Sequence, residues 1–144
     1  MCGIFFYKNK GKTEINQETT GKKCEHRGPD NTKTMTVISD NNYYYFMFHR
    51  LSINGLDSQS NQPFHIDNKV LICNGEIYNY KELAKKYGID LITNSDCEII
   101  IHLYNILSFN ELLNSLDGVF SFVLYDSINK KILIGHDPYG IRSL

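Results

Sequence analysis

The chain has 144 residues, of which 42% are hydrophobic and 22% are charged, a composition that suits one globular domain able to bury a core and argues against two domains. Its 15 basic and 16 acidic residues give a formal net charge of -1, which excludes a long-range attraction to nucleic acid or to anionic membranes. The sequence shows neither an apolar run long enough to span a bilayer nor a signal peptide, so we expect a soluble, cytoplasmic protein with free cysteines.

Apolar runs predict three strands in the first half of the chain. Ile4 to Tyr7 follows the N-terminus directly, and Tyr43 to Phe48 is an aromatic run after the turn residues Asp40-Asn41-Asn42. Lys69 to Cys73 is short and β-branched. It ends at Asn74-Gly75, a pair that tolerates positive φ, so we expect the third strand to end there in a sharp turn.

Capping residues predict three helices in the second half. Asn79 precedes a helix over Tyr80 to Tyr87, which is followed by Gly88. Ser95 and Glu98 have the spacing of a capping box, and so do Ser108 and Glu111. The second helix carries an apolar stripe made of Ile99, Ile100, Leu103, Ile106 and Leu107. The third has an apolar side made of Phe109, Leu112, Leu113 and Leu116.

Two further strands are predicted after the helices. Val119 to Tyr125 and Lys130 to Gly135 are separated by Asp126-Ser127-Ile128-Asn129, a spacing typical of a hairpin. Strands thus cluster at both ends of the chain with helices between them. This order favours the α+β class over regular βαβ alternation.

Cys2 is the strongest candidate nucleophile. Removal of Met1 would leave a free α-amine on the residue that carries the thiol. The amine has a pKa of roughly 7.7 to 8.0 and the thiol one of roughly 8.5, so the amine can accept the thiol proton near neutral pH. In isolation, Cys2 is better explained as a small apolar residue at the start of a buried strand.

A metal site is the weaker explanation of the other cysteines. Cys24 and His26 lie close in sequence, but no second pair of ligands follows at the spacing of a zinc site. Cys73 and Cys97 fall in a predicted strand and a predicted helix, where they are better interpreted as packing residues. We therefore expect no metal.

Several short motifs appear in one order along the chain: Met1-Cys2-Gly3-Ile4, His26-Arg27-Gly28-Pro29-Asp30, His49-Arg50-Leu51-Ser52-Ile53, Gln62-Pro63, Asn74-Gly75-Glu76-Ile77-Tyr78-Asn79, Ser95-Asp96-Cys97-Glu98 and Asp137-Pro138-Tyr139-Gly140. With them the chain resembles the N-terminal glutaminase domain of asparagine synthetases, which are class II glutamine amidotransferases of the N-terminal-nucleophile hydrolase fold. The resemblance implies a four-layer αββα sandwich with two stacked antiparallel sheets, in which residues 1–144 form one amidotransferase type-2 domain.

The resemblance also implies roles for individual residues. Asn74 and Gly75 would form the oxyanion hole, although Asn-Gly is also a common turn pair. Arg50 would bind the α-carboxylate of glutamine, a role that suits a bidentate guanidinium. The pocket wall would continue through Leu51, Ser52, Ile53 and Asn54. Glu76 and Asp96 would receive the α-ammonium group, although an aspartate at Asp96 also suits the start of a helix.

The reaction implied is hydrolysis of L-glutamine to glutamate and ammonia through a γ-glutamyl thioester on Cys2, with no cofactor. ATP and magnesium would belong to a synthetase domain or partner subunit that receives the ammonia, and no glycine-rich phosphate loop is present in this sequence. The resemblance also allows a homodimer. The family domain continues with further strands, so we expect the sheets to lack their last strands at Ile141-Arg142-Ser143-Leu144.

Two alternatives remain open at this point. Another class II glutaminase, such as those that feed hexosamine or purine synthesis, fits the motifs at 49–53 and 74–79 less well. A non-catalytic module that binds glutamine, or that docks on a synthetase, would carry the same residues without turnover.

Overall fold

The computed structural model describes residues 1–11, 16–53 and 56–142, which form two antiparallel sheets. The first sheet has the order β1-β3-β2 and consists of β1 (Gly3–Lys10), β2 (Asn31–Ser39) and β3 (Asn42–Arg50). The second sheet follows chain order and consists of β4 (Phe64–Ile66), β5 (Lys69–Ile77), β6 (Gly118–Asp126) and β7 (Lys131–His136). The helices are α1 (Gln17–Gly21), α2 (Tyr80–Tyr87), α3 (Ile99–Tyr104) and α4 (Phe109–Ser115).

The layers of the fold follow from the alternation of side chains along the strands. Val70 and Ile72 of β5 pack against the aromatic side chains of β3, so the two sheets stack face to face. The intervening residues of β5, Leu71 and Cys73, point to the opposite face, where α2, α3 and α4 cover them. On the outer face of the first sheet, α1 brings Gly21 against Met47. The order helix, sheet, sheet, helix confirms the α+β sandwich that the resemblance implied.

The predicted turn at Asn74-Gly75 is wrong, because β5 continues through both residues to Ile77. Asn74 pairs with Ser121 and Ile77 with Gly118, so β6 supplies hydrogen-bonding partners beyond the predicted end. Gly75 allows β6 to approach β5 closely and does not form a turn. A Cβ atom at this position would lie 2.2 Å from the carbonyl oxygen of Val119.

Helix α2 forms where we predicted it, but its predicted capping residue makes other hydrogen bonds. The predicted bounds of α2 are confirmed, and Gly88 ends it with a φ of 63°. The Asn79 side chain, however, does not cap this helix. It donates to the Ser115 carbonyl at 2.9 Å and accepts from the Asp117 N–H at 3.0 Å, which fixes the end of α4 beside the start of α2.

The capping box predicted at Ser108 and Glu111 is confirmed, but the one at Ser95 and Glu98 is wrong. Glu98 is fully buried and accepts hydrogen bonds from the N–H groups of Ile92 and Thr93 at 2.7 and 2.6 Å. A 3-10 turn over Asp96–Glu98 precedes α3. The helix ends at Tyr104, and Ile106, which we predicted on its buried stripe, is 51% exposed.

The predicted hairpin of β6 and β7 is confirmed by antiparallel pairing from Ser121 with His136 to Asp126 with Lys131. Among residues 1–11, 16–53 and 56–142, no helix is long and apolar enough to cross a membrane. The expectation for Ser143 and Leu144 concerns residues outside the described part of the chain.

Candidate active site

The N-terminus lies where the two sheets meet. Gly3 begins β1 and pairs with His49 of β3, which places Cys2 beside the end of β3. The backbone N–H of Cys2 donates to Oδ1 of Asn74 in the second sheet, at 3.1 Å. Residues 72 positions apart are thus joined by one hydrogen bond, and the predicted nucleophile lies next to the predicted oxyanion donor.

The Cys2 thiol is held by the backbone of Leu51. The Leu51 N–H donates to Sγ at 3.4 Å, and Sγ lies 3.6 Å from the Leu51 carbonyl oxygen. Burial raises the pKa of the Cys2 thiol, while the Leu51 hydrogen bond, the N-terminal ammonium group and Arg50 act in the opposite direction. The thiol therefore needs a nearby base to become a thiolate at neutral pH.

Arg50 is 5% exposed, and its guanidinium is held in place. Its Nη1 donates to the carbonyl oxygen of Asp57 at 3.0 Å and to the side-chain oxygen of Asn61. A buried guanidinium with fixed orientation suits recognition of a carboxylate better than a solvated surface arginine does.

The motif from His26 to Asp30 holds the backbone around Arg50 and Leu51 in place. The Asp30 N–H donates to the Arg50 carbonyl at 3.0 Å, and the Asp30 carboxylate accepts from the Ser52 N–H at 2.7 Å. Gly28 is required because a Cβ atom there would lie 2.1 Å from the carbonyl oxygen of His49. The motif thus fixes the backbone on both sides of Leu51, which in turn holds Cys2.

The acidic side of the site contains Asp96 and Glu76. Asp96 is 6% exposed and accepts from the Ile77 N–H at 2.6 Å, which ties the start of the 3-10 turn to β5. Burial raises the pKa of the Asp96 carboxyl, the Ile77 hydrogen bond opposes this, and the charge of Glu76 raises it further. Two carboxyl groups that repel each other favour a cationic ligand between them.

One cavity joins these groups. Its volume is about 80 Å³, which exceeds what a single water molecule needs. Of the predicted site residues, the cavity lining includes Cys2, Arg50, Leu51, Ile53, Asn74, Gly75, Glu76 and Asp96. Ser52 is not in the lining, and its N–H donates to the Asp30 carboxylate. Asn54 lies outside the described residues.

The lining also contains residues to which we assigned no role in the site: Met1, Phe48, Ser60, Gln62, Cys73, Ser95, Cys97 and Arg142. One of these residues, Gln62, belongs to the motif Gln62-Pro63, so the sequence contained a signal that could have found it. The Gln62 side chain accepts from the Cys73 N–H at 2.6 Å and donates to the Cys73 carbonyl at 3.1 Å, as a neighbouring strand would. Cys73 and Cys97 are buried free thiols that pack in the core and also line the cavity.

Within the described ranges, no three His, Cys, Asp or Glu side chains are arranged to hold a metal ion. His26 of the weaker metal hypothesis instead places its ring Nδ1 3.0 Å from the carbonyl oxygen of Lys23.

Comparison with known proteins identifies the relatives of this chain. The model of a family described as a glutamine amidotransferase domain matches residues 1–144. The chain is 36% identical over 148 aligned positions to a probable glutamine-hydrolysing asparagine synthetase of Acanthamoeba polyphaga mimivirus, and covers 27% of that protein. Glutamine-hydrolysing asparagine synthetases of Gallus gallus and Homo sapiens are 36% and 37% identical, and the chain covers 26% of each. The whole chain is aligned in every case, so it spans about a quarter of the length of these curated relatives.

Proposed function

Because the chain belongs to the glutamine amidotransferase domain family, we propose that it hydrolyses L-glutamine to L-glutamate and ammonia with Cys2 as the nucleophile. Its relatives are asparagine synthetases whose names describe them as glutamine-hydrolysing. The observation that carries the proposal is the hydrogen bond between Cys2 N and Asn74 Oδ1, made in the same cavity as Arg50.

Activation of Cys2 requires the removal of Met1. In the structure the Cys2 nitrogen is part of a peptide bond and cannot accept a proton. Once Met1 is removed, this nitrogen becomes a free α-amine on the same residue as the thiol that it deprotonates. The hydrogen bond to Asn74 Oδ1 uses one N–H and leaves the nitrogen lone pair free to take the thiol proton.

Glutamine would bind with its two ends recognised by opposite charges. Arg50 would hold the α-carboxylate, while Glu76 and Asp96 would receive the α-ammonium group. This orientation directs the side-chain amide toward Cys2, since Cys2 lines the same cavity as the charged groups. The site would therefore discriminate against a glutamine residue within a peptide, because its α-carbon carries neither a free carboxylate nor a free ammonium group.

The reaction would proceed through a thioester. The Cys2 thiolate attacks the amide carbon, and the carbon–oxygen double bond becomes an oxyanion held by Asn74 Nδ2 and the backbone N–H of Gly75. When the intermediate collapses, the carbon–nitrogen bond breaks, and the proton taken up by the α-amine passes to the departing nitrogen to give ammonia. Water then hydrolyses the thioester to glutamate and restores the thiol.

The ammonia would be used by an ATP-dependent synthetase domain or subunit that makes asparagine. This part of the proposal comes from the relatives, since the chain covers about a quarter of each of them. The four cysteines are free, which is consistent with a reducing compartment, and we place the reaction in the cytoplasm.

Intact mass and a glutaminase assay together test the proposal. We expect chains without Met1 to release glutamate and ammonia, and Cys2→Ala to abolish both. The matched control is Cys24→Ala, because Cys24 is a free cysteine that does not line the cavity. A lysine inserted between Met1 and Cys2 should block both processing and activity. Folded, processed chain that binds glutamine without turnover would instead support a non-catalytic binding module.

A further inference from the structure

The cavity wall contains a cation besides Arg50. Arg142 lines the cavity together with Arg50, Glu76 and Asp96, so two cationic side chains face two acidic ones. The proposed function gives roles to three of these four groups. Arg142 follows the motif Asp137-Pro138-Tyr139-Gly140, to which the proposed function assigns no step.

A buried carboxylate places Arg142 at the cavity. Asp137 is 1% exposed and organises the loop that follows β7. Its Oδ1 accepts from the N–H groups of Tyr139 and Ile141 at 3.1 and 3.0 Å, and its Oδ2 accepts from the Arg142 N–H at 3.2 Å. Oδ2 also accepts from the Phe120 N–H at 3.2 Å, which anchors the loop to β6. The backbone of Arg142 is therefore fixed relative to the second sheet.

The Arg142 side chain lies against Glu76. Its Nη2 is 3.9 Å from Glu76 Oε1, and the two side chains are 19% and 37% exposed. The separation is too long for a hydrogen bond, so the contact is between charges. The Nε atom of Arg142 is buried and has no hydrogen-bond partner among the described residues. The guanidinium group is thus part of the cavity wall and not a solvated surface group.

We propose that Arg142 is a specificity-determining residue whose positive charge balances Glu76 and Asp96, so that the cavity selects an amide with both an α-ammonium and an α-carboxylate group. This inference rests on the proposed function. With Arg142 the four charged groups sum to zero, which matches a zwitterion. Without it, Arg50 faces two carboxylates, and the excess negative charge favours a ligand that carries only an amine.

The size of the effect follows from the distances. An ammonium group paired with Glu76 would lie within about 7 Å of the guanidinium of Arg142. At an effective dielectric constant of about 20, the repulsion between these two positive charges is still substantial. Partial exposure reduces that interaction. We expect the preference between oppositely charged ligands to change roughly tenfold, which corresponds to about 1.4 kcal/mol.

The experiment compares three ligands by NMR titration of the Cys2→Ala chain, so that binding is measured without turnover. L-Glutamine carries both α-substituents, 4-aminobutanamide carries only the amine, and glutaramate carries only the carboxylate. The measured quantity is the ratio of the Kd for glutaramate to the Kd for 4-aminobutanamide. Arg142→Gln removes the charge and Arg142→Lys keeps it. Lys85→Gln removes one positive charge from an exposed position outside the cavity and serves as the control.

Arg142→Gln should raise the Kd ratio roughly tenfold, while Arg142→Lys and Lys85→Gln should leave it near the value of the parent chain. An unchanged ratio in Arg142→Gln, or equal weakening of all three ligands, would overturn the inference, and so would Arg142→Lys behaving like Arg142→Gln. The outcome is separable from that of the proposed function. If the ratio changes but the chain with intact Cys2 releases no ammonia, the hydrolysis proposal fails and the role of Arg142 stands. A parent chain that does not bind glutamine would overturn both.

Discussion

Substitution of Asp137 tests whether one carboxylate organises the loop beside the cavity. Asp137 accepts four backbone N–H groups, two on each oxygen. Asp137→Ala removes all four acceptors. Asp137→Asn keeps one carboxyl-type oxygen and replaces the other with an NH2 group, which cannot accept.

The expected loss of stability follows from the surroundings of each donor. Phe120 is 1% exposed, so its N–H would be left buried without an acceptor, at a cost of about 1–3 kcal/mol. The other three N–H groups belong to a loop whose residues Tyr139 and Ile141 are exposed, and they can bind water at a smaller cost. We expect Asp137→Ala to lower the free energy of unfolding by about 3 kcal/mol, and Asp137→Asn by roughly half as much.

The pH dependence gives a second measurement of the same contact. Burial raises the pKa of the Asp137 carboxyl, but the four backbone N–H groups lower it by more, so it lies below the usual 3.8. A lowered pKa stabilises the folded state above the unfolded-state value, and this stabilisation is lost as the pH falls through the folded-state value. The difference in unfolding free energy between the parent chain and Asp137→Asn should therefore shrink below about pH 3.8.

Urea denaturation monitored by circular dichroism measures both effects, provided that the slope m is the same in each variant. Asp90→Ala is the control, because Asp90 is an exposed aspartate. If Asp137→Ala costs less than about 1 kcal/mol, or no more than the control, the carboxylate does not organise the loop as described.

Three further substitutions test the site and the fold. Arg50→Ala should raise the KM for glutamine roughly 10- to 100-fold by removing charged hydrogen bonds to the α-carboxylate, and an unchanged KM would exclude Arg50 from the pocket. Asn74→Ala should lower kcat roughly 100- to 1,000-fold through loss of one oxyanion donor, whereas a change confined to KM would contradict this role. Burial raises the pKa of Glu98, but hydrogen bonds from Ile92, Thr93 and His102 lower it below the usual 4.5, so Glu98→Gln should cost stability at neutral pH. In urea denaturation, the loss of stability caused by Glu98→Gln should become smaller as the pH drops below about 4.5. A loss that does not depend on pH would refute the claim that the ionised Glu98 carboxylate stabilises the fold.

Strands with long apolar runs were predictable, while β2 and the three-residue strand β4 were not. Tyr43 to Phe48 lies inside β3, and the hairpin of β6 and β7 begins and ends within a residue or two of its predicted bounds. In contrast, we did not predict β2, which is largely exposed and has only Met35 and Val37 partly buried against the core between the sheets. Its strand conformation comes from pairing with β3 along its whole length. Such pairing is a tertiary interaction that local sequence does not encode.

Two copies of the same capping pattern illustrate the same limit. Ser108 and Glu111 bind each other as the spacing predicts, on an exposed helix end where nothing competes. Glu98 has the same spacing from Ser95 but is fully buried, and its carboxylate accepts hydrogen bonds from the N–H groups of Ile92 and Thr93 instead. Burial of a charge demands several hydrogen bonds, so the tertiary environment overrides the local pattern.

The candidate site was predictable where motifs carry it, and less so where distant loops contribute. The structure brings Cys2, Arg50 and Asn74 to one cavity, as the motifs indicated, although their catalytic roles remain predictions. Arg142 lines the same cavity from a loop that Asp137 ties to β6. No spacing in the sequence connects Arg142 with Glu76, so this contact required the structure.

We propose that Cys2, freed of Met1, attacks the side chain of a glutamine bound in this cavity. Labelling with 6-diazo-5-oxo-L-norleucine, a glutamine analogue with an electrophilic diazoketone in place of the amide, tests this claim when it is followed by peptide mass mapping. We predict one label per chain on Cys2, suppressed by excess glutamine and absent from chains that keep Met1. Labelling of Cys24, Cys73 or Cys97 instead, or equal labelling of chains with and without Met1, would contradict the claim.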